Sequence, residues 1–222
     1  MFSMADMDLM LLTAPSAAVL LDKLMELEGE VSLACSITHT ASDAEPLRIY
    51  YSSYIFALLL EDQIYETRML LRRLPESLVK VDPILQSVIS LVRAVWNKNY
   101  DKIYSLLRQT PWPEPMNKSL VQQYHRYFHN KTFDEISFAF GSIRPSTAAH
   151  YLGLDSLGDD TMSDSPDGAC PKLVDRLTGK GWEWNAESKL FIPKVITEIP
   201  KETVSNDTMI SRLVAQQRSH GD

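Results

Sequence analysis

The stretch Pro171-Lys-Leu-Val-Asp-Arg-Leu-Thr-Gly-Lys-Gly-Trp-Glu-Trp-Asn-Ala-Glu-Ser-Lys-Leu-Phe-Ile192 changes its hydropathic period halfway along, and that change decides the fold. Leu173, Val174 and Leu177 are spaced for one face of a helix that starts at Pro171 and stops at Gly179 and Gly181. Trp182 and Trp184 then alternate with polar residues, Asn185 to Lys189 make a turn, and Leu190, Phe191 and Ile192 answer. Alternation on both sides of a short polar turn predicts a β-hairpin.

Upstream of this stretch the pattern is helical. Pro145-Ser146-Thr147 opens a short helix that Gly153 ends. Thr132 and Glu135 have capping-box spacing, which predicts that a helix restarts there and runs through Phe133, Ile136, Ala139, Phe140 and Ile143. Between Gly153 and Pro171 lies a run of Asp, Ser and Gly over 155–168, expected to be a mobile acidic loop. Three helices followed by a hairpin is the order of a winged helix, expected over 132–194.

Residues 44–131 read as paired helices. Leu47, Tyr50, Tyr51, Tyr54, Ile55, Leu58 and Leu59 share a face, with Pro46 expected in the first turn. Ile64, Met69, Leu70 and Leu71 carry a second helix that Pro75 ends. Asp82-Pro83 caps a third, on Ile84, Leu85, Val88, Ile89, Val92, Val95 and Trp96. A fourth runs from about Tyr100 to Arg108 and stops at Pro111, Trp112, Pro113 and Pro115; a longer helix with Leu120, Val121, Tyr124, Tyr127 and Phe128 follows. A shift of 36 residues superposes Leu60 on Trp96, Ile64 on Tyr100, Leu70 on Leu106, Leu71 on Leu107, Arg72 on Arg108 and Pro75 on Pro111. A helical hairpin of that period is the tetratricopeptide type of repeat. Residues 1–43 are expected to form an N-terminal helix and linker. The tail 195–222 is polar until Asp207 caps a helix bearing Met209, Ile210, Leu213 and Val214. Each of those side chains contributes at most ~1.5–3 kcal/mol on burial, while ordering the helix costs ~1–2 kcal/mol per residue, so it needs a surface to dock on. The fold class is therefore mainly α: helical-hairpin repeats, a winged-helix subdomain and a C-terminal helix.

The chain has 22 basic and 29 acidic residues, a net charge of −7. The winged-helix segment from Phe133 to Pro193 holds five basic and ten acidic residues. Duplex binding draws its affinity from neutralised phosphates, so a DNA-binding winged helix is the least favoured reading and no nucleic-acid partner is expected. The first twenty residues carry Asp6 and Asp8 and no cation before Lys23, unlike a secretory signal. The longest uncharged runs fall short of the ~20 apolar residues of a bilayer span, so no membrane partner is expected and the protein should be soluble and intracellular. Cys35 and Cys170, far apart with no CxxC, are expected as ordinary thiols.

His125 and His129 stand i, i+4 on a helix, but neither a Glu between them nor a nearby Cys or carboxylate cluster completes a zinc site, so they read as surface or groove histidines. Glycine-rich phosphate loops, a nucleophile elbow and the metalloprotease patterns are all missing from the sequence. A binding or scaffold role without cofactor is favoured over catalysis.

Several segments carry a resemblance to the PCI family. Leu70-Leu-Arg-Arg-Leu-Pro75 is similar to the helix-ending element of its smallest members, and Val95-Trp-Asn-Lys-Asn-Tyr100 with Ile103-Tyr104 and Pro111-Trp112 resembles their Trp, basic, aromatic pattern. Ala148-Ala-His-Tyr-Leu-Gly-Leu154 and Gly181-Trp-Glu-Trp-Asn185 resemble the entry and wing of their winged helix. The group holds small PCI subunits of the COP-nine signalosome, the proteasome lid and translation initiation factor three (its k subunit), and the likeness to the signalosome branch is the strongest. It covers about Leu47 to Pro193; the acidic loop and the segment before Ala44 depart from it. The resemblance implies a non-catalytic assembly subunit in the nucleus and cytoplasm, supporting cullin deneddylation and so the regulation of cullin-RING ubiquitin ligases, with the metalloprotease in another chain. The alternative is a sister subunit of the lid or of the initiation factor. The resemblance also implies a hetero-oligomer in which other PCI subunits meet the wing edge (Trp182, Trp184, Leu190, Phe191) and a helical bundle receives Met209, Ile210, Leu213 and Val214.

Overall fold

Two helix-ending turns, 36 residues apart, have the same backbone. At the first, Gln63 N–H donates to the Leu58 carbonyl at 2.8 Å and Asp62 N–H to Leu59 at 3.2 Å; at the second, Asn99 donates to Ala94 at 2.9 Å and Lys98 to Val95 at 3.1 Å. Asp62 and Lys98 both take positive φ, 59° and 52°. These are Schellman closures, which satisfy the last carbonyls of a helix at the expense of one left-handed residue. The helices on either side repeat as well: α4 (Ala41–Leu60) with α5 (Ile64–Arg73), and α7 (Pro83–Trp96) with α8 (Tyr100–Gln109). The expected helical-hairpin repeat is present in the backbone itself.

The structure, a computed structural model, describes residues 4–37, 41–154 and 171–193. Ahead of the repeats stand α1 (Met4–Thr13), α2 (Ala17–Glu26) and α3 (Glu28–Ile37), so the segment expected as a helix and linker supplies three helices. Met7, Leu11, Leu20, Leu21, Leu24 and Val31 are buried in the same core as the repeats, and Tyr50 donates to the Leu24 carbonyl at 2.7 Å. The α4 face with Tyr50, Tyr54, Ile55 and Phe56 forms the centre of that core, and Phe56 meets Trp112 and Tyr124 edge to face at 5.5 and 5.9 Å.

Four local expectations are corrected. Pro46 does not open α4 but lies inside it, where it leaves the Ser42 carbonyl without its usual partner. A short helix, α6 (Glu76–Val81), fills the link between Pro75 and Asp82, two positions the sequence reads only as a stop and a start. Asp82 does cap α7, its Oδ1 accepting from Leu85 N–H at 2.8 Å. The third correction concerns Thr132 and Glu135: they restart nothing, because α10 (Gln122–Ala139) is continuous through them. It follows one turn of helix, α9 (Glu114–Met116), and a π-helical turn, Asn117–Val121. Thr132 is 1% exposed in the helix interior, and Glu135 lies 3.9 Å from Lys131 instead of reaching back to a cap. Fourth, Ile143 is not helical. The chain becomes extended at Phe140, and Ile143 exchanges two backbone hydrogen bonds with Phe191, both 2.9 Å.

A winged helix follows from these pieces. The end of α10, α11 (Pro145–Leu152) and α12 (Pro171–Thr178) pack with a hairpin of β1 (Glu183–Asn185) and β2 (Leu190–Ile192), antiparallel with Trp184 opposite Phe191. Its core is Ile136, Ile143, Ala148, Ala149, Leu152, Leu154, Leu177, Trp182 and Phe191. The boundary expected at 131/132 falls within α10, whose first half (Tyr124, Tyr127, Phe128) packs on the repeat core and whose second half (Phe133, Ile136) packs on the winged-helix core.

Candidate interaction surfaces

The hairpin is pinned by aromatic packing. Trp182 is 2% exposed, stacks on Phe133 with ring centres 5.1 Å apart and donates from Nε1 to Ser137 Oγ at 2.9 Å. Phe191 is fully buried, 4.8 Å from the Trp184 ring. Trp182 and Phe191 are therefore corrected from edge contacts to core residues: alternation turns them inward, where their apolar area is worth most. Trp184 and Leu190 are half-buried, while Glu183 and Ile192 face outward as a cross-strand pair. The turn is closed by Asn185 Oδ1, which accepts from Glu187 and Ser188 N–H, both at 3.0 Å.

The two edges of this hairpin differ. Because Phe191 N–H and C=O point at Ile143, the pair Trp184–Phe191 is one that shares no hydrogen bonds, and the Trp184 N–H and C=O point away from β2. The β2 side is thus covered at Phe191, and β1 is the edge without a strand neighbour among the described residues. It offers Trp184's backbone groups next to the exposed Glu183 carboxylate. A short, charged edge is how natural sheets restrain indiscriminate pairing. The acidic loop 155–168 and the stripe Met209, Ile210, Leu213 and Val214 lie outside the described residues.

Contacts between α8 and α11 lock the winged helix to the repeats. Gly153 caps α11 at φ +60°, and a Cβ built there would lie 2.2 Å from the Tyr104 ring. Tyr100 meets Tyr151 edge to face at 4.9 Å, and His150 Nδ1 lies 3.0 Å from the Asp101 carboxylate.

Two surface features escaped the sequence. On α5 and α7, Tyr65 (68% exposed) and Trp96 (40%) meet edge to face at 5.4 Å, with the Arg68 guanidinium over the indole at 3.9 Å. Behind Trp96 a cavity of about 260 Å³ opens between the two Schellman turns and α10, lined by Leu59, Val95, Tyr100, Tyr127 and Phe128. Lys131 pairs with Asp62 at its rim. The Tyr127 hydroxyl beside it is pushed up to about 12, by burial first and then by Asp62. Helical spacing alone could not separate Trp96 from the core-facing residues of its stripe.

The second feature is basic. Where α8, α10 and the end of α12 meet, Lys180 Nζ lies 3.5 Å from His129 Nδ1 and over the Phe133 ring at 4.5 Å. Burial, then Lys180, Arg176 and His125, bring the His129 pKa down to about 4. His125 and Lys180 are also lowered, burial leading in both. Among the described residues no group of three His, Cys, Asp or Glu side chains is placed to hold a metal.

Helical hairpins running into a winged helix through one shared helix, with a sheet edge left open, define a PCI-type protein. A sequence model described as the CSN8/PSMD8/EIF3K family matches residues 47–203. "COP9 signalosome complex subunit 8" of Emericella nidulans is 35% identical over 189 residues, 85% of this chain and 84% of that protein. The proteins of the same name from Dictyostelium discoideum and Danio rerio are 21% and 19% identical, over 76% and 73% of this chain and 78% of each of theirs. The chain belongs to the CSN8/PSMD8/EIF3K family.

Proposed function

We propose that this chain is a structural, non-catalytic subunit of the COP9 signalosome, acting by contact with other subunits and not by chemistry of its own. The observation that carries this reading is the match to the Emericella nidulans protein, which spans both the repeats and the winged helix. In this role the chain supports removal of a ubiquitin-like modifier from cullins, and thereby the regulation of cullin-RING ligases, in the nucleus and the cytoplasm. Its β1 edge, through Trp184, meets the winged helix of another PCI subunit, and the stripe Met209, Ile210, Leu213 and Val214 enters a helical bundle with other subunits. The edge reading is supported by the outward N–H and C=O of Trp184, and the bundle reading by the energetic need of an isolated amphipathic helix for a docking surface.

The test is a tagged chain recovered from its own cell extract, with co-purifying proteins identified by mass spectrometry. Signalosome subunits are expected; recovery of lid or initiation-factor subunits instead would move the chain to a sister complex. A truncation after Pro200 is expected to stay folded and drop out of the large complex. Normal incorporation of that truncation would remove the C-terminal stripe from the assembly role.

A further inference from the structure

Tyr65, Arg68, Met69 and Arg72 are spaced i, i+3, i+4 and i+7, so they lie along one stripe of α5. Tyr65, Met69 and Arg72 are exposed, whereas Thr67 and Leu70 on the opposite side of the helix are buried. Trp96, at the end of α7, widens the stripe: its ring meets Tyr65 edge to face and carries the Arg68 guanidinium, at the distances given above. Tyrosine, tryptophan, methionine and arginine gathered in one exposed patch have the composition of an interface and not of ordinary solvated surface.

The repeat shows what such a face receives. A shift of 36 residues carries Tyr65, Arg68, Met69 and Arg72 onto Asp101, Tyr104, Ser105 and Arg108 of α8. In that second copy the face is covered by a helix, α11: Asp101 takes His150, and Tyr104, 1% exposed, lies against Gly153. The inner contacts correspond as well, since Arg68 stacks on the end of α7 as Tyr104 packs on Phe128 of α10, 5.7 Å away. No described helix lies over Tyr65, Met69 and Arg72 in the first copy. Among the described residues Arg72 forms no ion pair, and Arg68 makes no hydrogen bond beside its stacking on Trp96, so both keep N–H donors for a carboxylate. We propose that this face is a docking site for an acidic amphipathic helix of another polypeptide, laid across α5 as α11 is laid across α8. Its apolar side chains pack on Tyr65, Met69 and Trp96, and its carboxylates pair with Arg68 and Arg72. The cavity that Trp96 also lines, about 260 Å³, is smaller than the ~300–1,000 Å³ of small-molecule sites and takes one side chain of that helix. The inference stands apart from the signalosome reading: it is tested on the full chain by itself, and its failure leaves that reading intact.

The probe is a fluorescein-labelled, helix-forming peptide of about 18 residues with leucine on one face and glutamate along both flanks, read by fluorescence anisotropy against the full chain at about 50 mM salt. It is expected to bind, and the same peptide with lysine in place of glutamate to bind at least about tenfold more weakly. The double variant Met69→Gln, Arg72→Glu is expected to weaken the glutamate peptide at least about tenfold, the scale of losing one apolar and one charge-assisted contact. Met25→Gln, Lys23→Glu makes the same changes at exposed positions of α2 and is expected to leave affinity within about twofold. If thermal melting shows the charge-reversed chain to be unfolded, Met69→Gln, Arg72→Gln takes its place. Absence of binding, equal binding of the lysine peptide, or an equal loss in the α2 variant would each overturn the proposal. So would a dimer in sedimentation velocity that the α5 variant disperses, because the occupant would then be a second copy. Binding at least about tenfold tighter to the chain truncated after Pro200 would overturn it too, because the occupant would then be the chain's own tail.

Discussion

Lys98 pays for its turn in backbone strain: a residue with a Cβ held at φ 52° costs ~1 kcal/mol or more relative to glycine. Its Schellman bonds need the conformation but not the side chain. Lys98→Gly is therefore expected to raise stability by up to about 1 kcal/mol, and Lys98→Val to lower it by more than that, as urea midpoints would show. Equal midpoints for the two variants would mean that the turn carries no strain. Gly153 presents the opposite case. A methyl group there faces both a left-handed φ and the Tyr104 ring at 2.2 Å. Gly153→Ala is expected to cost roughly 2–4 kcal/mol, combining backbone strain with overpacking. A midpoint within 0.5 kcal/mol, about the noise of such comparisons, would show that α11 shifts freely on α8. Glycine as the stop of α11 is legible in the sequence; the ring pressed against it is not, because that contact joins residues 49 apart along the chain.

At the scale of elements, sequence reading succeeds where a local signal and the tertiary environment agree. Asp82-Pro83 caps α7, Pro145 opens α11, and alternation at Trp182 and Trp184 yields β1. It fails on α10. Thr132 and Glu135 have the spacing of a cap, but apolar residues on both sides of them are buried by two different cores, and continuous helix satisfies both. Hydropathy places Ile143 on a helix face, yet its partner is Phe191, 48 positions on, which no local period reveals. The wing residues show the same limit: alternation places Trp182 and Phe191 on one face, and only packing shows that this face is the inside. His129 on α10 makes the element's environment measurable. Its pKa in the fold is lowered to about 4 from the ordinary 6.5, by burial and then by Lys180. Between those values the unfolded chain binds the proton and the folded chain does not, so stability is full above about pH 6.5 and is lost as pH falls toward 4. After allowance for solvent screening the loss amounts to roughly 1–2 kcal/mol. Urea midpoints of wild type and His129→Gln are expected to diverge across that window, with the variant less sensitive to acid. Parallel curves would place His129 in water.

For the whole molecule, the question is whether two cores make two bodies. Among the described residues the winged-helix core holds nine buried apolar side chains, a small store for a unit to fold on alone. It does not have to stand alone. Alpha10 runs through both cores without a break, and the α8–α11 contact adds the Tyr104–Gly153 packing, the Tyr100–Tyr151 ring pair and the His150–Asp101 pair. To open the winged helix by itself, the chain must fray half of α10 and expose Phe133, Ile136 and Tyr151 as well. Native-state hydrogen exchange read by mass spectrometry should therefore give amides of α7 and of α11 the same opening free energy, within about 1 kcal/mol. Lys131→Pro should undo this. Proline at that position removes the bond to the Tyr127 carbonyl and clashes with it, at a cost of ~3 kcal/mol, midway between the two halves of the helix. In that variant α11 is expected to exchange well ahead of α7. If wild-type α11 already opens first by more than ~2 kcal/mol, the winged helix is a separate body and α10 is only its tether.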